Sequence, residues 1–176
     1  FCSVPMYIMF LVSFLKPGKV KSALYAFLAT FSLFAGLAVM FYPVDVFINT
    51  LGISIQTMVH HGLMAVIGIV LLATGHVATL RKNIIPAAIV FFLLGAFAFV
   101  LNILFRNVDG TFNMFFIGPF HPTHLPILTL IQSEFGYIPF LFSYFFGFTL
   151  VAYIVMLGAI FVDNVIISVQ TQKSIF

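Results

Sequence analysis

Charge is what this chain has least of. Seven Lys or Arg and four Asp or Glu make up 6% of 176 residues. An average soluble domain carries about a quarter charged residues. So few charges cannot clothe a chain this size in a solvated surface, which excludes a water-soluble globule. Disorder is excluded as well, because it needs low hydrophobicity and high charge. The single cysteine, Cys2, rules out an internal disulfide and any cysteine-cluster metal site. The cations form no phosphate-tracking stripe. Three sit together at Lys16, Lys19 and Lys21 and two at Arg81 and Lys82, so no nucleic-acid partner is expected. The chain opens Phe-Cys-Ser inside an apolar run, with neither Met nor a basic leader. It reads as N-terminally truncated, and no signal peptide can be judged from it.

What is present is apolar side chain. Hydrophobic residues make up 63% of the chain, Phe alone contributes 25, and the mean hydropathy is +1.24. A helix crossing a bilayer needs about 20 apolar residues. Segments 22–43, 57–80, 84–105 and 137–162 meet that length, and 1–15 reads as the end of a further helix. The expectation is all-α: a single polytopic transmembrane bundle over 1–176, integral to a membrane, with about five spans. Short Lys/Arg-rich loops stay cytoplasmic. That places the 16–21 loop and the 81–82 turn inside, and the loops around Asp45 and Asp109 outside. The connection 106–136 is unusual at roughly 30 residues, against a common 2–8. It is apolar, and Pro119, Pro122 and Pro126 interrupt any helix. Such a segment folds over the bundle mouth or re-enters the membrane, where non-helical backbone must be covered by protein or line a wet cavity.

Ionisable and amide groups within spans are costly and tend to face the bundle interior. On the expected topology, Cys2, His60, His61, Asn102, Arg106, Asn113, His121 and His124 share the outer level, His60 and His61 one turn into their span. His76 belongs to the inner end. A thiolate is a nucleophile, and a neighbouring imidazole can take its proton, which singles out Cys2 with His60. His60 and His61 point about 100° apart on a helix, so one of them faces a neighbouring element. His121 and His124 form an H-x-x-H spacing that could join His60 or His61 around zinc. Their segment contains a proline and no glutamate, unlike the helical metalloprotease motif; no metal and no cofactor are expected. Arg106 lies where a lipid phosphate could be bound, unless it pairs locally with Asp109. Glycines 36, 62, 68, 95, 147 and 158 are expected to permit close helix contact.

The order of short motifs resembles a known family. Phe-Cys-Ser-Val-Pro opens a span. A later span ends in Tyr42-Pro43, and His60-His61-Gly62 stands at a span start. Asn102 follows near a span end, then Gly110-Thr111-Phe112-Asn113-Met114-Phe115-Phe116, closing on Pro119. From Cys2 to Pro119 this resembles the YwaF-type bacterial integral membrane proteins and their animal relative, transmembrane protein 164. The resemblance implies a helical bundle with one or two further helices upstream. For the animal relative it implies a cysteine-dependent acyltransferase moving a fatty acyl chain between phospholipids. The nucleophile would correspond to Cys2 and the essential histidine to His60. The segment 105–110 is longer than the family pattern.

The leading expectation is therefore a phospholipid acyltransferase of a bacterial cell membrane. Cys2 and His60 are its catalytic pair, and Asn102, Arg106, Asn113, His61 and His124 are its substrate-binding residues. Asn102 is the expected oxyanion donor. Membrane phospholipids are the partners, and no protein partner is indicated. A small-solute transporter or lipid-binding bundle is the non-enzymatic alternative, since proline-broken segments occur in transporters. Against it, no span carries an Asp, Glu, Lys or Arg to couple an ion. A metal-dependent hydrolase using His60, His121 and His124 is the third.

Overall fold

The structure is a computed structural model that describes residues 3–43, 50–77, 81–108 and 112–173. The described residues form six helices of eight or more residues and contain no strand: α1 (Val4–Phe14), α2 (Lys19–Phe41), α3 (Leu51–Ala73), α4 (Ile84–Leu104), α5 (Leu128–Phe135) and α6 (Tyr137–Lys173). Four are long and apolar enough to cross a membrane: α2 and α3 with 23 residues each, α4 with 21, and Tyr137–Ser168 of α6 with 32. The chain is an all-α bundle that fits an integral membrane protein. Helix α1 has 11 residues, about 17 Å at 1.5 Å per residue, roughly half a hydrocarbon core.

Local chemistry explains most boundaries. Pro5 lies in the first turn of α1, where a missing N–H costs nothing. The helix gives way to extended backbone at Leu15, just ahead of Lys16-Pro17, because the residue before a proline is disfavoured in α geometry. Lys21 reaches back to donate to the Leu15 carbonyl at 3.0 Å. That satisfies one of the acceptors left bare at a helix end, a task beyond the topology charge read in the sequence.

Helix α3 departs most from expectation. It starts six residues before the expected 57 and stops at Ala73 rather than 80. Ser54 and Gln56 lower the hydropathy without breaking a helix. The stop is set by Gly75 (φ +69°), whose left-handed backbone ends the last turn with its N–H on the Leu72 carbonyl. His60 thus lies nine residues into α3, about 13 Å from its start rather than one turn. His76 lies past the helix end, its Nδ1 2.7 Å from the Thr74 hydroxyl. Helix α6 runs eleven residues past the expected 162, because no Pro or Gly follows Asp163 to stop it.

The core is aromatic. The Phe91 ring on α4 is wholly buried, with centroids of Phe31 at 4.7 Å, Phe145 at 5.4 Å, Tyr144 at 5.9 Å and Phe148 at 6.0 Å. One ring therefore ties α2, α4 and α6 together, each aromatic pair adding about 0.5–1.5 kcal/mol beyond its burial. Residues Leu28–Ser32 of α2 form a wide π turn at this level, and all five are buried. There the Thr30 hydroxyl donates to the Ala26 carbonyl at 2.7 Å, a back-bond of the kind that bends helices. Large side chains turned away from the core, such as Phe41, Leu93, Phe142 and Phe146, are exposed and form the surface that lipid would cover.

Helices α2 and α3 pack antiparallel through glycine. A methyl placed on Gly36 would lie 2.6 Å from the His61 carbonyl oxygen and 2.9 Å from the Ala65 nitrogen. One on Gly68 would lie 2.6 Å from Leu33 Cβ, and one on Gly95 would meet the Phe145 ring at 2.5 Å. Three of the six glycines expected at close contacts are there. Gly62 merely approaches the Met40 sulfur at 3.9 Å, and Gly147 and Gly158 have open space beside them. Gly36→Ala is expected to push α3 away and to cost about 1–3 kcal/mol, the range for overpacking, lowering the thermal midpoint in detergent. Gly147→Ala should leave that midpoint unchanged or raise it slightly; equal midpoints for the two variants would disprove the close crossing.

Candidate functional site

The antiparallel order brings the end of α2, the start of α3, the end of α4 and the start of α6 to one end of the bundle. Asn102 lies there beneath the 112–127 segment and Asn113 and Thr123 within it, while His76 packs against Tyr25 at the other end (centroids 5.9 Å). Cys2, Asp109, Gly110 and Thr111 lie outside the described residues, and with them both the Cys2–His60 pair and the Arg106–Asp109 pair.

The histidine doublet divides as helix geometry requires. His61 is 3% exposed, and its Nδ1–H donates to the Thr57 carbonyl one turn back at 2.7 Å. Since a carbonyl only accepts, the neutral ring carries its proton on Nδ1 and its lone pair on Nε2. Among the described residues that Nε2 is buried without a hydrogen-bond partner, an arrangement that costs free energy unless a ligand or water answers it. His60 is half-buried beside it, the two rings meeting edge-on at 5.4 Å and 83°. The expectation that one of the pair turns inward holds, and His61 is the one.

Asn102 and Asn113 converge on one stretch of loop. The Asn102 amide is 2% exposed and pairs with Met114 twice: its Nδ2 donates to the Met114 carbonyl at 2.9 Å, and its Oδ1 accepts the Met114 N–H at 2.6 Å. The Asn113 Oδ1 accepts the Gly118 N–H at 2.7 Å. A methyl on Gly118 would lie 2.8 Å from that oxygen and 3.5 Å from Asn102 Cγ. The Asn102 amide thus engages the backbone of Met114 through its oxygen and one of its two N–H groups, a positioning role that the expected oxyanion contact did not include.

Other residues finish the pinning, and they were not singled out from sequence. The Tyr137 hydroxyl donates to the Ile117 carbonyl at 2.6 Å. Gln132 Oε1 accepts the Thr123 N–H at 2.7 Å, and the Thr129 hydroxyl donates to the Thr123 carbonyl at 3.0 Å. Together these side chains replace the hydrogen bonds that proline-broken backbone cannot make for itself. They hold Phe115 (φ 64°), Phe116 (φ 58°) and Ile127 (φ 66°) in left-handed conformations, each of which costs about 1–3 kcal/mol in a non-glycine residue. Phe115, Ile117 and Thr123 are buried, so the segment is a packed cap. One sequence signal pointed that way: amides and hydroxyls interspersed among Phe and Pro.

The remaining expected residues lie on the cap's outer side. Arg106 sits with its guanidinium carbon 5.1 Å from the centre of the Phe120 ring, a cation–π geometry. The exposed His124 ring meets Phe116 edge-on at 6.4 Å. His60, His121 and His124 do not assemble: no group of three His, Cys, Asp or Glu side chains placed to hold a metal occurs among the described residues. No protein-family model, curated protein or solved structure matches the chain.

Replacing Asn102 by Leu is expected to strand the Met114 N–H and carbonyl, each stranded group costing about 1–3 kcal/mol. Limited proteolysis in detergent should then cut between 105 and 136 faster than in the parent protein. Asn102→Asp, which keeps the acceptor, should fall between the two. A cap as resistant in Asn102→Leu as in the parent would show that this amide does not secure it.

Proposed function

We propose that the protein is a membrane-embedded acyltransferase acting on phospholipids through a Cys2 thioester, as a member of the YwaF-type family that its motif order resembles. His60 takes the Cys2 thiol proton. The thiolate attacks an ester carbonyl of the donor phospholipid; the C–S bond forms, the ester C–O bond breaks, and the departing lysolipid oxygen takes the proton from the imidazolium. An acceptor lysolipid hydroxyl then gives its proton to His60 and attacks the thioester. The new ester forms, and the sulfur leaves as thiolate to regain the proton. Dividing transfer into two steps is the purpose of covalent catalysis, and a lipid-embedded site favours transfer over hydrolysis by keeping water out.

The observation that carries the reading is the doublet on α3. A buried His61 anchored on Thr57 holds a half-buried His60 beside it within a membrane-crossing helix, where an ionisable group marks a functional site by default. The capped end of the bundle supports it by gathering the amides of Asn102 and Asn113 and the hydroxyls of Thr129 and Tyr137. The chain's one cysteine supplies the only thiol. A second reading, a lipid-binding bundle without chemistry, is favoured by the packed cap over that end, and the same experiment separates the two. The bundle is placed in a bacterial cell membrane, with the 16–21 loop and the 81–82 turn cytoplasmic on the positive-inside rule.

The test is acyl exchange in proteoliposomes holding a labelled phospholipid and an unlabelled lysophospholipid. Cys2→Ala is expected to abolish exchange, and His60→Gln to lower it by about 10²-fold or more, the scale of general-base catalysis. Exchange at the parent rate in Cys2→Ala would end the thioester reading. Sidedness has its own check in a Cys2→Ala background. An impermeant maleimide should label Asn107→Cys in intact cells, and Lys19→Cys and Lys82→Cys only in opened membranes. The reverse pattern would invert the topology.

A further inference from the structure

The end of the bundle opposite the cap gathers most of the positive charge in the chain. Five of the seven Lys and Arg residues belong to two stretches there: Lys16, Lys19 and Lys21 at the entry to α2, and Arg81 and Lys82 at the entry to α4. Of the four acids in the chain, Asp163 alone falls in sequence near this end, toward the far end of α6 from its start at Tyr137.

The fold brings the two basic stretches to one level. Helices α2 and α4 run the same way, because α3 returns between them, and they pack along each other. The stacked rings of Phe31 and Phe91 (4.7 Å) set their register. Lys19 lies about 18 Å back from Phe31 along its helix and Lys82 about 14 Å back from Phe91, at 1.5 Å per residue. The end of α3 closes on the same place. Lys21 Nζ stands 5.7 Å from the centre of the Tyr25 ring, and His76 meets that ring edge-on at 5.9 Å.

The charges at this end are available. Lys16, Lys19 and Lys82 are exposed, and none makes a hydrogen bond or ion pair among the described residues. Lys21 spends one of its three N–H donors on the Leu15 carbonyl. Bare apolar side chains stand among the lysines. Phe14, two residues before Lys16, is 72% exposed, Val20 beside Lys19 is 66% exposed, and Ile85, three residues after Lys82, is 62% exposed. A free phosphate would answer the ammonium groups and leave those side chains in water. A lipid answers both, since a lysine stem lies along apolar surface while its head reaches the polar layer.

We propose that this end is a binding surface for anionic phospholipid, with Lys16, Lys19 and Lys82 on the headgroup phosphates and Phe14, Val20 and Ile85 against the upper acyl chains. Charge complementarity selects the occupant. A phosphatidylglycerol headgroup brings net negative charge to a surface with an excess of cations. A phosphatidylcholine headgroup brings a phosphate and a quaternary ammonium that the lysines repel. The proposal goes beyond acyl transfer and does not rest on it, because none of these residues belongs to the catalytic pair or to the cap.

Binding is measured on the full chain in maltoside detergent, in a Cys2→Ala background so that no acyl group is moved. The probes are dioctanoyl phosphatidylglycerol, dioctanoyl phosphatidylcholine and glycerol 3-phosphate. At low salt phosphatidylglycerol is expected to bind at least about tenfold tighter than either of the others, each lysine near an anionic headgroup layer being worth about fivefold. The preference should shrink severalfold at about 0.5 M salt, where screening shortens the reach of exposed charges. Replacing Lys16, Lys19 and Lys82 together by Gln should remove most of it, and replacing the same three by Arg should retain it. Equal affinity for the two lipids in the parent at low salt overturns the proposal. A preference untouched by the three Gln substitutions overturns its assignment to this end. Glycerol 3-phosphate that binds as tightly as phosphatidylglycerol overturns the lipid in favour of a soluble phosphate. Loss of acyl exchange in Cys2→Ala leaves all these outcomes where they stand, so the two readings fail separately.

Discussion

The two hydrogen bonds between the Asn102 amide and the Met114 backbone are the constraint on which this architecture turns. A membrane-crossing bundle tolerates irregular backbone only where its N–H and carbonyl groups are answered from within. Pro119, Pro122 and Pro126 keep the stretch between α4 and α5 from forming a continuous helix, so side chains have to do the answering. Asn102, placed near the end of α4, supplies both a donor and an acceptor to the backbone of a single residue, Met114. Once Met114 is held, Asn113 folds over Gly118 and Tyr137 takes the Ile117 carbonyl. The cap therefore belongs to two helices at once, α4 below it and α6 after it. Its left-handed phenylalanines are affordable only because so much else defines its path.

Beneath the cap, rigidity comes from rings and glycines. Phe91 is the common neighbour of aromatic side chains from α2 and α6, and the α2–α3 crossing is close enough that a single methyl at Gly36 has no room. These features have a functional corollary. Gly36 sits against the His61 carbonyl, so the crossing that stiffens the bundle also sets the depth and rotation of the histidine doublet. A chemistry that depends on an imidazole needs that kind of fixed backing, and lipid cannot provide it.

Much of this was legible from sequence, for identifiable reasons. Apolar run length locates α2, α4 and the start of α6 because a bilayer imposes its thickness on composition. The same rule misplaces α3, since hydropathy ignores that Ser54 and Gln56 are tolerated in a helix and that Gly75 stops one. Periodicity says that His60 and His61 diverge, but not which of them turns inward; that depends on a tertiary neighbour, the α2 helix at Gly36. The roles of Asn102 and Asn113 were out of reach. An amide near a span end reads equally as a catalytic donor or as a staple, and the partner that shows the staple, Met114, lies twelve residues away across a turn. Gln132, Thr123 and Tyr137 escaped notice because side-chain-to-backbone bonds in irregular segments follow no spacing rule.

The π turn in α2 carries a last implication. Widening one turn there inserts the equivalent of a single extra residue into an otherwise regular rod, so everything beyond Ser32 is out of phase with everything before Leu28 by about 100°. The near half and the turn itself can thus direct Phe27 and Phe31 toward the ring cluster while the far half aims Gly36 at α3. One continuous span addresses two neighbours that a uniform helix would meet on conflicting faces. Shortening α2 by one residue at this point would remove the offset and force a choice between them.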